Sequence, residues 1–247
     1  MQGKTAIITG GARGIGAAAA KLLASRGARV AVNYVHNHEA AEQTVFEIKA
    51  NGGEAIAVQA DVREEAQVNE MVKIVQETYG SVDILVSNAN MSFAMKPFME
   101  MSWDEFSTKL NDELKAAFVL TKAVAPLMME RKYGRIIYIA SGLAKSPSPM
   151  FIAHGTAKGG LVSFAKYIAQ ELGPHGITAN IVSPGLVLTD ATTHTPENMK
   201  QMLAAMTPLG RIAQPEDVAR AIAMYAGDDS GFITGAYTPV NGGHAME

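Results

Sequence analysis

Cysteine is absent from this chain of 247 residues, which removes disulfides, thiolate nucleophiles and cysteine-ligated metals. Histidine is sparse as well: the six present are scattered without ligand-like spacing, so no metal site is expected. Neither sign of charge dominates, with 21 Lys and Arg against 24 Asp and Glu, and the basic surface that nucleic-acid binding needs is lacking. Long apolar runs are missing too. The stretch after Met1, residues 4–9, is too short for a signal-peptide core, and no later window reaches membrane-spanning length. A cytoplasmic protein is therefore expected. No linker, low-complexity tract or internal repeat interrupts the chain, so residues 1–247 read as one domain.

What is present is an alternation. Short β-rich apolar runs fall at 6–8, 29–33, 54–59, 83–87, 135–140, 178–182 and 236–240. Between them lie segments with apolar residues at i, i+3 and i+4, at 15–26, 39–50, 65–79, 103–131, 156–173 and 215–226. Strand–helix alternation of this kind predicts an α/β fold, a Rossmann-type doubly wound parallel sheet flanked by helices. Residues 186–210 break the rhythm. They are rich in Thr and Met, contain Pro196 and Pro208, and are too long for an ordinary connection, so they read as a substrate lid. Met91, Met95, Met99, Met101, Met150, Met199, Met202 and Met206 lie there or in two other stretches after strand ends. Adaptable apolar side chains so placed together suit a flexible acyl chain, although for any single one ordinary helix packing is the readier explanation.

Thr9-Gly10-Gly11-Ala12-Arg13-Gly14-Ile15-Gly16 follows the first strand and opens the first helix. In that context glycines let the backbone approach a pyrophosphate, whose charge meets the helix N-terminus. Gly10, Arg13, Gly14, Ile15 and Gly16 are thus expected to bind a dinucleotide. The second strand ends in Val32-Asn33-Tyr34, with no Asp or Glu to accept from an adenosine ribose. Arg13, His36 and His38 leave that end neutral to positive, so NADP(H) is favoured over NAD(H), with Asn33 and Tyr34 bordering it.

Together with that turn, Ser141 and Lys158 resemble the short-chain dehydrogenase/reductase family. The likeness runs on to Ile233-Thr234-Gly235 and Asn241-Gly242-Gly243. Asn33-Tyr34, Pro184-Gly185 and the C-terminal pattern look most like bacterial 3-oxoacyl carrier-protein reductases; a second likeness is to NADPH-dependent enoyl reductases. The resemblance implies that Ser141 polarises a carbonyl and Lys158 steadies the cofactor ribose. It also implies that Asp61 and Val62 flank the adenine, that Ser87, Asn88 and Ala89 support the cofactor, and that Pro184, Gly185 and Thr189 meet the nicotinamide. Asp61 alternatively reads as a helix N-cap.

The family's tyrosine, four residues before the lysine, is His154 here, and the enoyl reductases' earlier tyrosine position is Phe151. Glu113 stands where the family usually has asparagine on the long helix, and Asn90 replaces a glycine. Histidine titrates near neutrality and can donate a proton, which suggests a Glu113–Lys158–His154 relay in which Glu113 offsets the lysine charge. The substrate implied is a carbonyl of an acyl thioester, free or carrier-protein bound. Enoyl-thioester reduction and a catalytically impaired NADP-binding scaffold or sensor remain alternatives. The resemblance further implies a homotetramer built through helices 103–131 and 156–173.

Overall fold

The computed structural model describes residues 1–246. Seven parallel strands form one sheet: β1 (Thr5–Ile8), β2 (Arg29–Tyr34), β3 (Glu54–Gln59), β4 (Ile84–Ser87), β5 (Gly134–Ile139), β6 (Ile177–Pro184) and β7 (Tyr237–Val240). Their order is β3-β2-β1-β4-β5-β6-β7. Succession reverses between β1 and β4, and such a reversal opens a crevice beyond the carboxyl ends of the two strands.

Alternate side chains of the strands feed two cores. Ala6, Ile8, Val30, Val32, Ile84 and Val86 face α1 (Gly14–Ser25), α2 (His38–Ala50) and α7 (Pro215–Ala226). Ile7, Ala31, Leu85, Ile136 and Tyr138 face α3 (Glu65–Tyr79), α4 (Trp103–Arg131) and α5 (Ile152–Leu172). Burial on both faces explains why these strands are continuously apolar rather than alternating.

α4 is long because it starts cleanly and is packed along its length. Ser102 and Glu105 form a reciprocal capping box, and the helix ends on Lys132 in the left-handed region at φ 50°. α5 starts four residues before the expected 156. Its opening turn, Ile152 to Gly155, presents no clear apolar stripe; tertiary contact stabilises it instead. A Cβ on Gly155 would lie 2.8 Å from the Leu143 carbonyl oxygen, so only glycine lets α5 approach that turn so closely. Residues 186–210, expected as a substrate lid, contain a short 3₁₀ turn at Asp190–Thr192 and a helix, α6 (Glu197–Met206), with no buried residue.

Asp83 anchors the other end of the sheet. Its backbone bridges Thr5 and Arg135 at 2.9 Å each, while buried Oδ2 accepts from Thr5 N at 2.9 Å and Ser81 Oγ at 2.7 Å. Asp83→Ala should cost roughly 2–3 kcal/mol by stranding these donors, read as a lower urea midpoint at unchanged slope.

Candidate active site

At the crevice between β1 and β4, Thr9 and Asn88 lock the strand ends together. Thr9 Oγ1 accepts from the amides of Asn88 at 2.9 Å and Ala89 at 3.0 Å, and Asn88 Nδ2 donates to the Thr9 carbonyl at 2.8 Å. The glycine-rich turn is pressed against this lock. A Cβ on Gly16 would stand 2.2 Å from the Gly10 carbonyl oxygen, while Gly10 and Gly14 adopt φ of 61° and 55°. Thr189 reaches the same place, since its Cγ2 lies 3.3 Å from where a Gly14 Cβ would sit. Gly10, Gly14, Gly16, Asn88, Ala89 and Thr189 are therefore gathered at the start of α1. Arg13 is its exposed N-cap, Ile15 is half-buried beside it, and the N-terminal amides of α1 suit a pyrophosphate.

Other expected cofactor residues are placed differently. The Asn33 side chain is buried, and its amide donates to the carbonyls of Ala60 at 2.9 Å and Val58 at 3.3 Å, so it ties β2 to the end of β3. Tyr34 OH meets His38 Nδ1 at 2.7 Å. Asp61 does not cap α3, whose N-cap is Glu64. Its carboxylate instead holds the Arg63 guanidinium at 2.7 and 3.0 Å, which keeps the carboxyl below its usual range. Val62 is buried in the core. Pro184 ends β6, and Gly185 lies against Asn241, a Cβ there coming within 3.2 Å of the Asn241 side chain.

Ser141, Lys158, Glu113 and His154 sit beyond the ends of β5 and along α4 and α5. Ser141 Oγ accepts from Leu143 N at 3.3 Å, capping a short 3₁₀ turn and retaining its O–H as a donor. Lys158 Nζ donates to the Ile139 carbonyl and to Glu113 Oε1, both at 2.7 Å. The second Glu113 oxygen is taken by Lys109 Nζ at 2.6 Å. Lys109 also donates to the Met91 carbonyl at 2.7 Å and Asn90 Oδ1 at 3.0 Å. Lys109, Glu113 and Lys158 are all buried. Burial alone would raise the Glu113 pKa, but the Lys158 and Lys109 ammoniums outweigh it and hold the carboxyl below its usual value.

The relay expected from the sequence is thus half assembled. Glu113 contacts Lys158 directly, but both its oxygens are engaged by lysines. His154, buried in the first turn of α5, stacks on Phe93 at 4.5 Å between centroids, and its Nδ1 has no partner among the described residues. Burial, then the charges of Lys158 and Lys109, lower its pKa to about 3 against the weaker opposing pull of Glu113, so the ring is neutral. Sequence reasoning missed Lys109 and Phe93. Lys109 had a signal: it precedes Glu113 by four residues, the spacing at which helical side chains meet. Phe93 had none, because a loop path brings it to His154.

The neutral ring carries a pH signature. Below about pH 6.5 the unfolded chain protonates His154 and the folded protein does not, so more protons are bound unfolded and stability rises with pH. Between pH 6.5 and about 3 the protein should lose on the order of 1 kcal/mol per pH unit from this residue. Urea unfolding across that window should show the slope in the wild type and a shallower one in His154→Phe.

Among the described residues no helix is long and apolar enough to cross a membrane. Residues 10–245 match the family model described as enoyl-(acyl carrier protein) reductase. The chain is 38% identical over 248 residues to a 3-oxoacyl-[acyl-carrier-protein] reductase of Synechocystis, covering 100% of this chain and 98% of that protein. It is 37% identical to the (2S)-[(R)-hydroxy(phenyl)methyl]succinyl-CoA dehydrogenase subunit BbsD of Thauera aromatica, with 100% and 98% covered. A solved dehydrogenase/reductase from Sinorhizobium meliloti superposes with a TM-score of 0.92 at 35% identity, covering 100% of this chain and 96% of that one. Joined to the parallel sheet with its crevice at β1 and β4 and to the glycine-rich turn, these likenesses imply a nicotinamide cofactor, and the chain belongs to the short-chain dehydrogenase/reductase family of oxidoreductases.

Proposed function

We propose that the protein is an NADPH-dependent reductase of 3-oxoacyl thioesters, free or carrier-protein bound. The observation that carries this reading is the hold on Lys158, whose Nζ is fixed by Ile139 and Glu113 at 2.7 Å each. Two of its three N–H donors are used among the described residues, and the third remains for the nicotinamide ribose. Bound in the crevice, the reduced nicotinamide supplies the hydride. The Ser141 hydroxyl and a neutral His154 N–H donate hydrogen bonds to the substrate oxygen, where negative charge develops, and the resulting alkoxide takes its proton from water. The names of the Synechocystis and Thauera relatives, each referring to an acyl thioester, support the substrate class.

For the cofactor, exposed Arg13 at the α1 N-cap and His36 and His38 after β2 favour a 2′-phosphate, while the Asp61 charge is matched by Arg63. Residues 186–210 are proposed as the lid. Met199, Met202 and Met206 on α6 are 46%, 54% and 59% exposed, suiting an acyl chain that they would cover on closure. Exposed Phe118 on α4 and Tyr167 on α5 border one groove, which supports assembly of a homotetramer through these helices.

One observation favours enoyl-thioester reduction as a second reading. A neutral His154 stabilises an enolate oxygen by hydrogen bonding alone, with the proton going to carbon from water.

NADPH oxidation with 3-oxoacyl and 2-enoyl thioesters separates the readings. We expect turnover of the 3-oxoacyl substrate, falling by about 10²-fold in His154→Ala. Turnover of the 2-enoyl substrate alone would favour the second reading, and cofactor binding without turnover of either would leave a scaffold or sensor. Arg13→Ala should weaken NADPH binding by about tenfold while leaving NADH binding nearly unchanged, measured by cofactor fluorescence. Gly16→Ala, which pushes a methyl into the Gly10 carbonyl, should weaken both cofactors in the same assay.

A further inference from the structure

We propose that Lys109 is a positioning residue of this active site, holding Glu113 and the Asn90–Met91 segment in place and setting a second positive charge behind the stacked Phe93 and His154 rings. The inference rests on the reductase reading and extends it to a residue outside the family pattern traced above.

Lys109 is 1% exposed, and its Nζ makes three contacts, with Glu113 Oε2, the Met91 carbonyl and Asn90 Oδ1 at 2.6, 2.7 and 3.0 Å. An ammonium has three donors, so none is left for substrate, and Lys109 acts through its partners. The first partner is Glu113. Engaged by Lys109 on one oxygen and Lys158 on the other, it can neither turn to His154 nor release Lys158. The second partner is the turn after β4, which carries the chain to Phe93. The Lys109 ammonium stands 5.4 Å from the Phe93 ring centre, and that ring stacks on His154. Lysine, phenylalanine and histidine thus form a column beside the cofactor crevice.

Charge gives the column its purpose. Lys109, Glu113 and Lys158 sum to one net positive charge in a buried space. The charged groups acting on His154 are Lys158 from α5 and Lys109 and Glu113 from α4; the flanking loop residues Phe93 and Phe151 are uncharged. A positive surrounding opposes an imidazolium and favours any group that gives up a proton, as an ammonium does for a neighbouring phenol. It therefore prepares a neutral imidazole to donate its N–H to an oxygen that is becoming negative. A single lysine balanced by Glu113 would leave no net charge. The second lysine restores it, while its carboxylate partner keeps two ammoniums tolerable within one buried cluster.

The test compares Lys109→Met with the charge-balanced pair Lys109→Met/Glu113→Gln. The single variant brings the cluster to zero net charge, and the pair returns it to one positive charge on Lys158. Titration of the His154 ring, followed by nuclear magnetic resonance of protein labelled at histidine, should move up by roughly one unit or more in the single variant and back toward the wild type in the pair. In the same order kcat should fall by about tenfold and partly recover, with a new acid limb in the single variant's pH profile. Lys109→Gln, whose amide still donates to Asn90 and Met91, repeats the test if the methionine variant does not fold. A His154 titration unmoved in the single variant, or a pair farther from the wild type than the single, would overturn the proposal, because a purely structural lysine predicts additive damage. Absence of turnover with every thioester would instead overturn the reductase reading, while the titration still decides Lys109.

Discussion

The candidate active site is organised around one carboxylate held between two buried ammoniums. Glu113 reaches Lys109 on its own helix and Lys158 on the neighbouring one, and through them it touches the turn after β4 and the end of β5. Removing the carboxylate would leave two ammoniums uncompensated in a low-dielectric interior, a larger penalty than losing any one hydrogen bond. The packing of α4 on α5 and the path of the loop to Phe93 are therefore tied to the ionisation of the cluster. So is the neutrality of His154.

The cofactor crevice has a different foundation. There the backbone decides: β1 and β4 diverge, Thr9 and Asn88 lock their ends, and glycines leave room where side chains would collide. Few ionisable groups take part in these contacts. Lys158, proposed to meet the nicotinamide ribose, is held at Nζ by the Ile139 carbonyl and by Glu113.

Much of the fold was legible in the sequence because period and punctuation agreed. Apolar runs read as strands buried on both faces, three-four stripes read as helices, and the glycine-rich turn lay between the first of each. The start of α5 was not legible, since the approach of Gly155 to Leu143 is a tertiary contact rather than a propensity. α6 was missed although Met199, Met202, Leu203 and Met206 fall at i, i+3, i+4 and i+7, because the Thr- and Pro-containing stretch around it read as a connection and none of the helix is buried in the core. Within the site, Glu113 meets Lys158 and opposes its effect on His154 in the direction expected; what the sequence did not offer was Lys109, whose second ammonium leaves the cluster net positive. Asn33 was legible as a residue at the right strand end and not as one whose amide is consumed by the chain itself.

By itself the sequence determined the chemistry available: a dinucleotide turn, a serine and a lysine at the family positions, and a histidine for a tyrosine. These follow from residue identity and local spacing, which the linear chain records. Only the tertiary structure decided how charge is distributed around that histidine. Whether an imidazole carries a proton depends on its burial and on ammoniums brought from residues 45 and four positions away along the chain, relative to a carboxylate they both clamp. That sum is made across space between α4, α5 and a loop, and no pattern along the sequence contains it.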